Sequence, residues 1–393
     1  MTSLFDPLDL GRGHIMRNRF MMGPLTNMQS PDNGHMSDDE YRWLEMRTHG
    51  GYGLMSTCTA MIGPDCAAMD GQIGLWQDSH MAQLRRVAAA MKAGGNVAIM
   101  QLNHSGLRAN PDVTGCAPYG PYAEPEFGGL EMSTADVHRV IADFATASKR
   151  AQDCGFDGVE VHGAHAQLLS QFLNPQNVRT DGYGGASLEN RARAMVETLQ
   201  AIRTACGESF LLGVRLSTER YEINLGDFLE LSQYLIDTGL IDFLDMSLWD
   251  CFKQPDDPAY AGKPLYEWAL GVNKRNVKIA LAGKIRTGPQ AQAAIDAGAD
   301  FVVMGRAAIL HDDFPKQVAA NPDFGMAPLP VTVDYLHSKA VSNRFIGYLK
   351  MWDGFVADSG RGMYTEMGTM LTGVDPSCFA TGEFAEMQAE GAK

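Results

Sequence analysis

Eight short apolar runs, each followed by a segment of helical character, constrain this chain more than any other feature of its sequence. They fall at residues 19–23, 53–58, 97–102, 158–162, 211–216, 243–247, 278–282 and 301–305. Their apolar character is continuous rather than alternating, which suits strands buried on both faces of a parallel sheet. The helices between them have legible ends. Ser37-Asp38-Asp39-Glu40 has the pattern of a capping box, opening a helix that runs to Thr48 and stops at Gly50-Gly51. Thr134 starts a second helix, stopped by Gly155, and Ser187 a third, which ends before Gly207. Thr287-Gly288-Pro289 opens a fourth, closed by Gly298. Strand then helix, eight times over, is the arithmetic of a (β/α)8 TIM barrel. A doubly wound sheet uses the same units, but eight repeats and no GxGxxG after the first strand favour the barrel.

Two additions to a minimal barrel are expected. The stretch between Asn103 and Ser133 is rich in Pro, Gly and Tyr, and a loop that long in a compact domain is commonly functional. It follows the third strand, so it belongs to the catalytic face. Beyond the eighth unit, apolar periodicity at 333–352 predicts a helix that covers the barrel. Residues 1–355 therefore read as the barrel domain, and 356–393 as a tail for the surface or for a subunit contact in a homo-oligomer. The net charge of −15 argues against nucleic acid or an anionic membrane as partner. No apolar segment approaches the ~20 residues of a membrane span. Seven cysteines stand singly, with no CxxC, which fits a reducing compartment and predicts neither a zinc nor an iron–sulfur site. The start, MTSLFDPLDLGRG, lacks the basic and apolar regions of a signal peptide, so the expected compartment is the cytoplasm.

In barrels of this kind function gathers at the C-terminal ends of the strands. Those ends read Pro24-Leu25-Thr26, Thr59-Ala60, Gln101 with His104, His162 with His165, Arg215, Ser247 with Trp249, Gly283-Lys284 and Gly305-Arg306. The glycines after strands seven and eight stand ahead of helix N-termini, where free backbone N–H groups can face a phosphate, and Arg306 could add a bidentate contact. Glycine is also common in such turns for conformational reasons alone. Arg215, directed into the barrel mouth, needs either a polar ligand or a structural acidic neighbour. Gln101 offers a donor and an acceptor, suited to the edge of a planar heterocycle. A phosphate on one side and edge-readers on the other fit a flavin mononucleotide. His162 and His165, three apart at the end of a buried strand, are costly to bury without a polar task.

These residues give the chain a resemblance to the Old Yellow Enzyme family of FMN-dependent oxidoreductases, over nearly all of residues 1–355. The matching motifs are Pro24-Leu25-Thr26, Gln101-Leu102-Asn103-His104-Ser105-Gly106, His162-x-x-His165 and Gln171-Phe172-Leu173-Asn174-Pro175. To these add Gly305-Arg306 and the long run RTDGYGGASLENR from Arg179 to Arg191. The resemblance implies FMN as cofactor and NAD(P)H as co-substrate, used in turn with the acceptor in one pocket, a ping-pong scheme that needs no second nucleotide domain. It implies that Pro24, Leu25, Thr26 and Ala60 line the flavin, with the Thr26 hydroxyl tuning its reduction near N5. Gln101 would read the pyrimidine edge, Arg215 would stand near N1 and O2, and Gly283, Lys284, Gly305 and Arg306 would cradle the phosphate. His162 and His165 would border the flavin and donate hydrogen bonds to a carbonyl, nitro or phenolate oxygen of the small-molecule substrate. Polarising that oxygen lowers the barrier to hydride arrival from N5 at an electron-poor alkene, nitro compound or quinone.

The chain also departs from the family. A glycine and then a tyrosine that protonates the substrate's α-carbon are the family's pattern after the histidine pair, whereas this chain has Ala166 and Gln167. A carboxamide has no proton acidic enough for that task. Simple alkene reduction is therefore expected to be slow with flavin reduction intact, and a largely non-reducing flavin- or ligand-binding role is the alternative. Gln167 and Trp249 are expected beside the substrate, Tyr119 and Tyr122 are candidate replacement acids, and Tyr183 is expected to hold its own loop. Trp249 and Phe252 could wall the pocket or only anchor the loop after strand six. Trp352 is expected under the barrel or at a subunit contact. An aldolase or isomerase would want a Schiff-base lysine or paired carboxylates at strand ends, but Lys284 is the only lysine there and Glu160 lies mid-strand.

Overall fold

A computed structural model of the protein describes residues 2–221 and 223–357; most of the tail at 356–393 lies outside the described residues. Eight parallel strands close into a ring. They are β1 (Phe20–Met22), β2 (Leu54–Ser56), β3 (Val97–Asn103), β4 (Gly158–Gly163), β5 (Leu211–Ser217), β6 (Phe243–Ser247), β7 (Lys278–Ala282) and β8 (Phe301–Met304). Each pairs with the next in sequence, and β8 pairs with β1. The doubly wound sheet is thereby excluded.

The continuous apolar runs have their explanation in two shells of core. Met21, Leu54, Val97, Ile99, Leu211, Phe243, Phe301 and Val303 point inward and pack as one cluster. An antiparallel hairpin, Leu8–Gly11 with His14–Met16, adds Leu8, Leu10 and Met16 to that cluster and closes the N-terminal end of the barrel. The alternate residues, among them Met22, Val161, Val214 and Leu281, face the surrounding helices. Gly213 is needed for this packing: a Cβ there would stand 2.1 Å from the ring of Phe243, which fills the space instead.

The helices that return the chain after each of the eight strands are α1 (Asp38–Thr48), α2 (Met81–Ala93), α3 (Thr134–Asp153), α4 (Leu188–Cys206), α5 (Leu225–Asp237), α6 (Leu265–Ala269), α7 (Gly288–Asp296) and α8 (Arg306–Leu310), with shorter helices at Pro111–Thr114, Leu168–Leu173 and Phe314–Ala320 beside them. Ser37, Ser133, Ser187 and Thr287 cap α1, α3, α4 and α7 through their hydroxyls. The capping box at Ser37 is only half formed. Glu40 does not return to the cap. It is fully buried and accepts hydrogen bonds from Ser30, Cys58 and Asn27, tying α1 to the segment after β1.

The long loop after β3 carries a short parallel pair, Tyr119–Gly120 with Leu130–Glu131. Arg179 holds it from the RTDGYGG run, donating to the carbonyls of Pro121 (3.4 Å) and Met132 and pairing with Asp181. The single helix expected at 333–352 is two, α9 (Val333–Ser338) and α10 (Asn343–Lys350). The break falls at Ala340, whose φ of 56° no α-helix can contain.

Candidate active site

The C-terminal ends of the strands open into a cavity of about 310 Å³, at the lower end of the range for small-molecule sites. Every strand supplies a wall. Pro24, Leu25 and Thr26 follow β1, Thr59 follows β2, Gln101 comes from β3 and His162 with His165 from β4 and its end. Arg215 comes from β5, Ser247 and Trp249 from β6, Gly283 and Lys284 follow β7, and Gly305 with Arg306 follow β8.

On the floor, parallel register sets Gln101 opposite Glu160 and Arg215 opposite Asp245. Gln101 Nε2 donates to Glu160 Oε1 (2.7 Å), and the Thr59 hydroxyl donates to Gln101 Oε1. Arg215 Nε lies 3.1 Å from Asp245 Oδ2, and Arg215 Nη2 donates to Ser247 Oγ at 3.3 Å. The structural acidic neighbour that the sequence left open is therefore present, and the guanidinium still lines the cavity.

The histidines form a chain. The Ala164 N–H donates to His162 Nδ1 (3.3 Å), which puts the hydrogen of a neutral ring on Nε2. That nitrogen lies 3.4 Å from His165 Nδ1, and His165 Nε2 lies 2.9 Å from Ser247 Oγ. Burial, reinforced by the charges of Arg215 and Arg108, lowers His162 to about 3. His165 is held well below its ordinary value by burial, then by Arg215, His162 and Arg108. Both rings are therefore held in the neutral form. His165 and Ala166 have φ of 56° and 53°, a strained pair of left-handed residues. The Ser217 hydroxyl accepts the His165 N–H at 3.0 Å, and Arg108 Nη1 donates to the His165 carbonyl at 3.0 Å, fixing the turn.

At the opposite end Gly305 precedes the first turn of α8. Among the described residues, a Cβ on Gly305 would meet only Leu25, at 3.9 Å, so none of them fills the space beside its backbone. Lys284 and Arg306 line the same end, with Lys284 Nζ 3.3 Å from Asp250 Oδ2. Trp249 Nε1, in the wall, is buried with no hydrogen-bond partner among the described residues. An open backbone cradle with two cations, edge-readers Gln101 and Arg215, and an unmatched indole donor fit FMN.

The other expected residues lie elsewhere. Ala60 is fully buried in a short strand beside Leu102 and does not line the cavity, although Thr59 does. Gln167 is also outside the lining. Tyr119 accepts from Arg139 at 2.7 Å and donates to Asp65 at 2.5 Å, with His104 Nε2 at 2.9 Å. Asp65, Cys66 and His104 lie near enough to share a metal ion, but Arg139 stands 3.3 Å from Asp65 and already supplies a positive charge. Tyr122 accepts from Asn174 (3.2 Å), and Tyr183 donates to Glu197 (2.7 Å) on α4. Trp352, expected beneath the barrel or at a subunit contact, lines the cavity with Tyr348, Leu349 and Phe355. The covering segment expected at 333–352 is thus present; what the periodicity did not show is that its residues enter the cavity lining.

A closed parallel barrel with Gly305, Lys284 and Arg306 at one end of its cavity and Gln101 and Arg215 on its floor has the lining expected of a flavin-binding oxidoreductase barrel. A family model described as NADH:flavin oxidoreductase / NADH oxidase matches residues 3–323. The chain is 30% identical over 332 residues to the probable NADH-dependent flavin oxidoreductase YqiG of Bacillus subtilis, covering 80% of this chain and 87% of that protein. Among solved structures, morphinone reductase superposes with a TM-score of 0.73 at 26% identity, over 91% of this chain and 97% of that one. 2-Naphthoyl-CoA reductase superposes with a TM-score of 0.72 at 25% identity, over 81% of this chain but only 52% of that longer one. The chain belongs to the NADH:flavin oxidoreductase / NADH oxidase family. It is an oxidoreductase that uses FMN and NAD(P)H, with the barrel fold of an old yellow enzyme homologue.

Proposed function

We propose that the protein reduces an electron-poor alkene, nitro compound or quinone at the expense of NAD(P)H, the two substrates occupying the cavity in turn. The observation that carries this reading is the adjacent, neutral pair His162 and His165 in the wall of a cavity whose floor holds Gln101 and Arg215. FMN, when bound, supplies the two-electron carrier between the nicotinamide and the acceptor. The chain's own residues do the rest. His162 Nε2–H, and His165 Nε2–H once it leaves Ser247, donate to the acceptor's oxygen and stabilise the charge that develops there. Neutral rings suit this task, because they donate without a pH-dependent change of charge. Arg215, held by Asp245, keeps a fixed positive charge at the floor, and Thr26 and Trp249 bound the space for the acceptor. Trp352 and Tyr348, from the C-terminal cover, help to exclude water.

The test is direct. Purified protein loaded with FMN should be yellow, should bleach anaerobically with NADPH or NADH, and should regain its colour on adding an enone, a nitroalkene or a quinone. Protein that cannot be loaded with FMN would end this reading. Replacing both histidines by alanine should weaken binding of phenolates and slow reoxidation while leaving FMN bound.

A further inference from the structure

Glu160 is fully buried in the middle of β4, and no step proposed above uses it. Its Oε1 accepts from Gln101, while its Oε2 is buried with no hydrogen-bond partner among the described residues. The charged or titratable groups around it are Arg215 on β5, Asp245 on β6 and His162 on its own strand, with the neutral Gln101 on β3. The inward residues of β1, β7 and β8 are apolar. Two carboxyls therefore share one guanidinium directly below the cavity. Asp245 touches it, with Nε at 3.1 Å, and Glu160 touches only an amide. If both carboxyls ionised, a net negative charge would be left in a dry interior; one proton removes it. Glu160, the carboxyl without a cation in contact, is its natural holder. Burial and then the charge of Asp245 push Glu160 up to about 8, against the opposing pull of Arg215 and Gln101.

We propose that Glu160 is a proton site coupled to the cofactor: in alkaline solution, where it is ionised beside oxidised FMN, it takes up one proton when FMN is reduced and releases it on reoxidation. The inference rests on the FMN reading of the cavity. Hydride transfer from the reduced nicotinamide would bring two electrons and one proton to FMN, so the bound cofactor would gain one net negative charge in a cavity whose floor carries Arg215. One further proton passes from solvent to the Glu160 carboxylate, and reoxidation returns it. Glu160 acts through Gln101 and Arg215, so it is a positioning residue rather than one that meets substrate.

The test is the pH dependence of the midpoint potential of the FMN-loaded enzyme, over a range spanning about 8, in wild type and Glu160→Gln. Between the proton affinities of the oxidised and reduced states, one extra proton per two electrons steepens the fall by about 30 mV per tenfold change in proton activity. That extra slope should be absent from Glu160→Gln. Reduced-minus-oxidised infrared difference spectra of the wild type should also gain a protonated-carboxyl C=O band. The band keeps the inference testable if the variant loses FMN. Equal slopes in the two proteins, or no carboxyl band in the wild type, overturn the inference. Failure to bind FMN would instead overturn the functional reading beneath it.

Discussion

Asn103 donates a 2.6 Å hydrogen bond to Gln167 Oε1, and Gln167 Nε2 faces the His165 carbonyl at 3.5 Å. The side chain standing where the family has its proton donor is thus engaged with the protein's own frame, outside the cavity wall. Neither Tyr119 nor Tyr122 takes its place. Among the described residues the tyrosine ring that meets the pair is Tyr221, from the loop after β5, edge-on to His165 with centroids 6.0 Å apart.

Gln167→Tyr should therefore speed reoxidation of the reduced enzyme by 2-cyclohexenone by about 10²-fold, the lower range for a general acid. Reduction by NADPH should not change. Stopped-flow measurement of each half-reaction separates the two. A fast wild type that the tyrosine does not improve would place the acid elsewhere, with Tyr221→Phe as the next variant to measure.

Stability should fall in acid through the buried imidazoles. His104 is lowered to about 4 and His162 to about 3, both chiefly by burial, whereas an unfolded chain titrates near ~6.5. The unfolded state binds more protons in that window, so stability is complete above ~6.5 and is lost as pH falls toward the folded values. Each group contributes a slope of about 1.4 kcal/mol per pH unit. Denaturant midpoints at neutral and mildly acidic pH measure it, and His162→Asn should remove one share.

Two glycines at the phosphate end should respond differently to a methyl group. Gly305→Ala places its Cβ in open space near Leu25, so the apoprotein should keep its stability within about 0.5 kcal/mol, while FMN affinity falls at least about tenfold. Gly283 has φ of 149°, and its Cβ would stand 2.8 Å from the Cys251 nitrogen, so Gly283→Ala should destabilise the apoprotein itself. Melting of the apoproteins and titration with FMN distinguish the two.

Asp245→Ala should cost about 2–3 kcal/mol, because it leaves the largely enclosed Arg215, 12% exposed, without its ion-pair partner. The loss is measured on apoprotein by urea unfolding. Asp245→Asn, which keeps the volume, should cost less.

The motifs at the strand ends were legible because they are local. Pro24-Leu25-Thr26, His162-x-x-His165 and Gly305-Arg306 are each contiguous or nearly so, and one rule places them all on the same face. Ala60 marks the limit of that rule. A shift of one residue at a strand end exchanges the face that a side chain presents, and Thr59 rather than Ala60 lines the cavity.

The sequence by itself determined the eight-fold alternation, most helix caps and the catalytic face, since burial on two faces and helix termination are written in neighbouring residues. Only the tertiary structure decided that Asp245 is the partner of Arg215, that Glu160 lies beneath Gln101, that Asn103 engages Gln167 and that Trp352 covers the cavity. Each of these contacts joins segments far apart in the chain. Their meeting depends on inter-strand register and ring closure, which no local pattern of residues encodes.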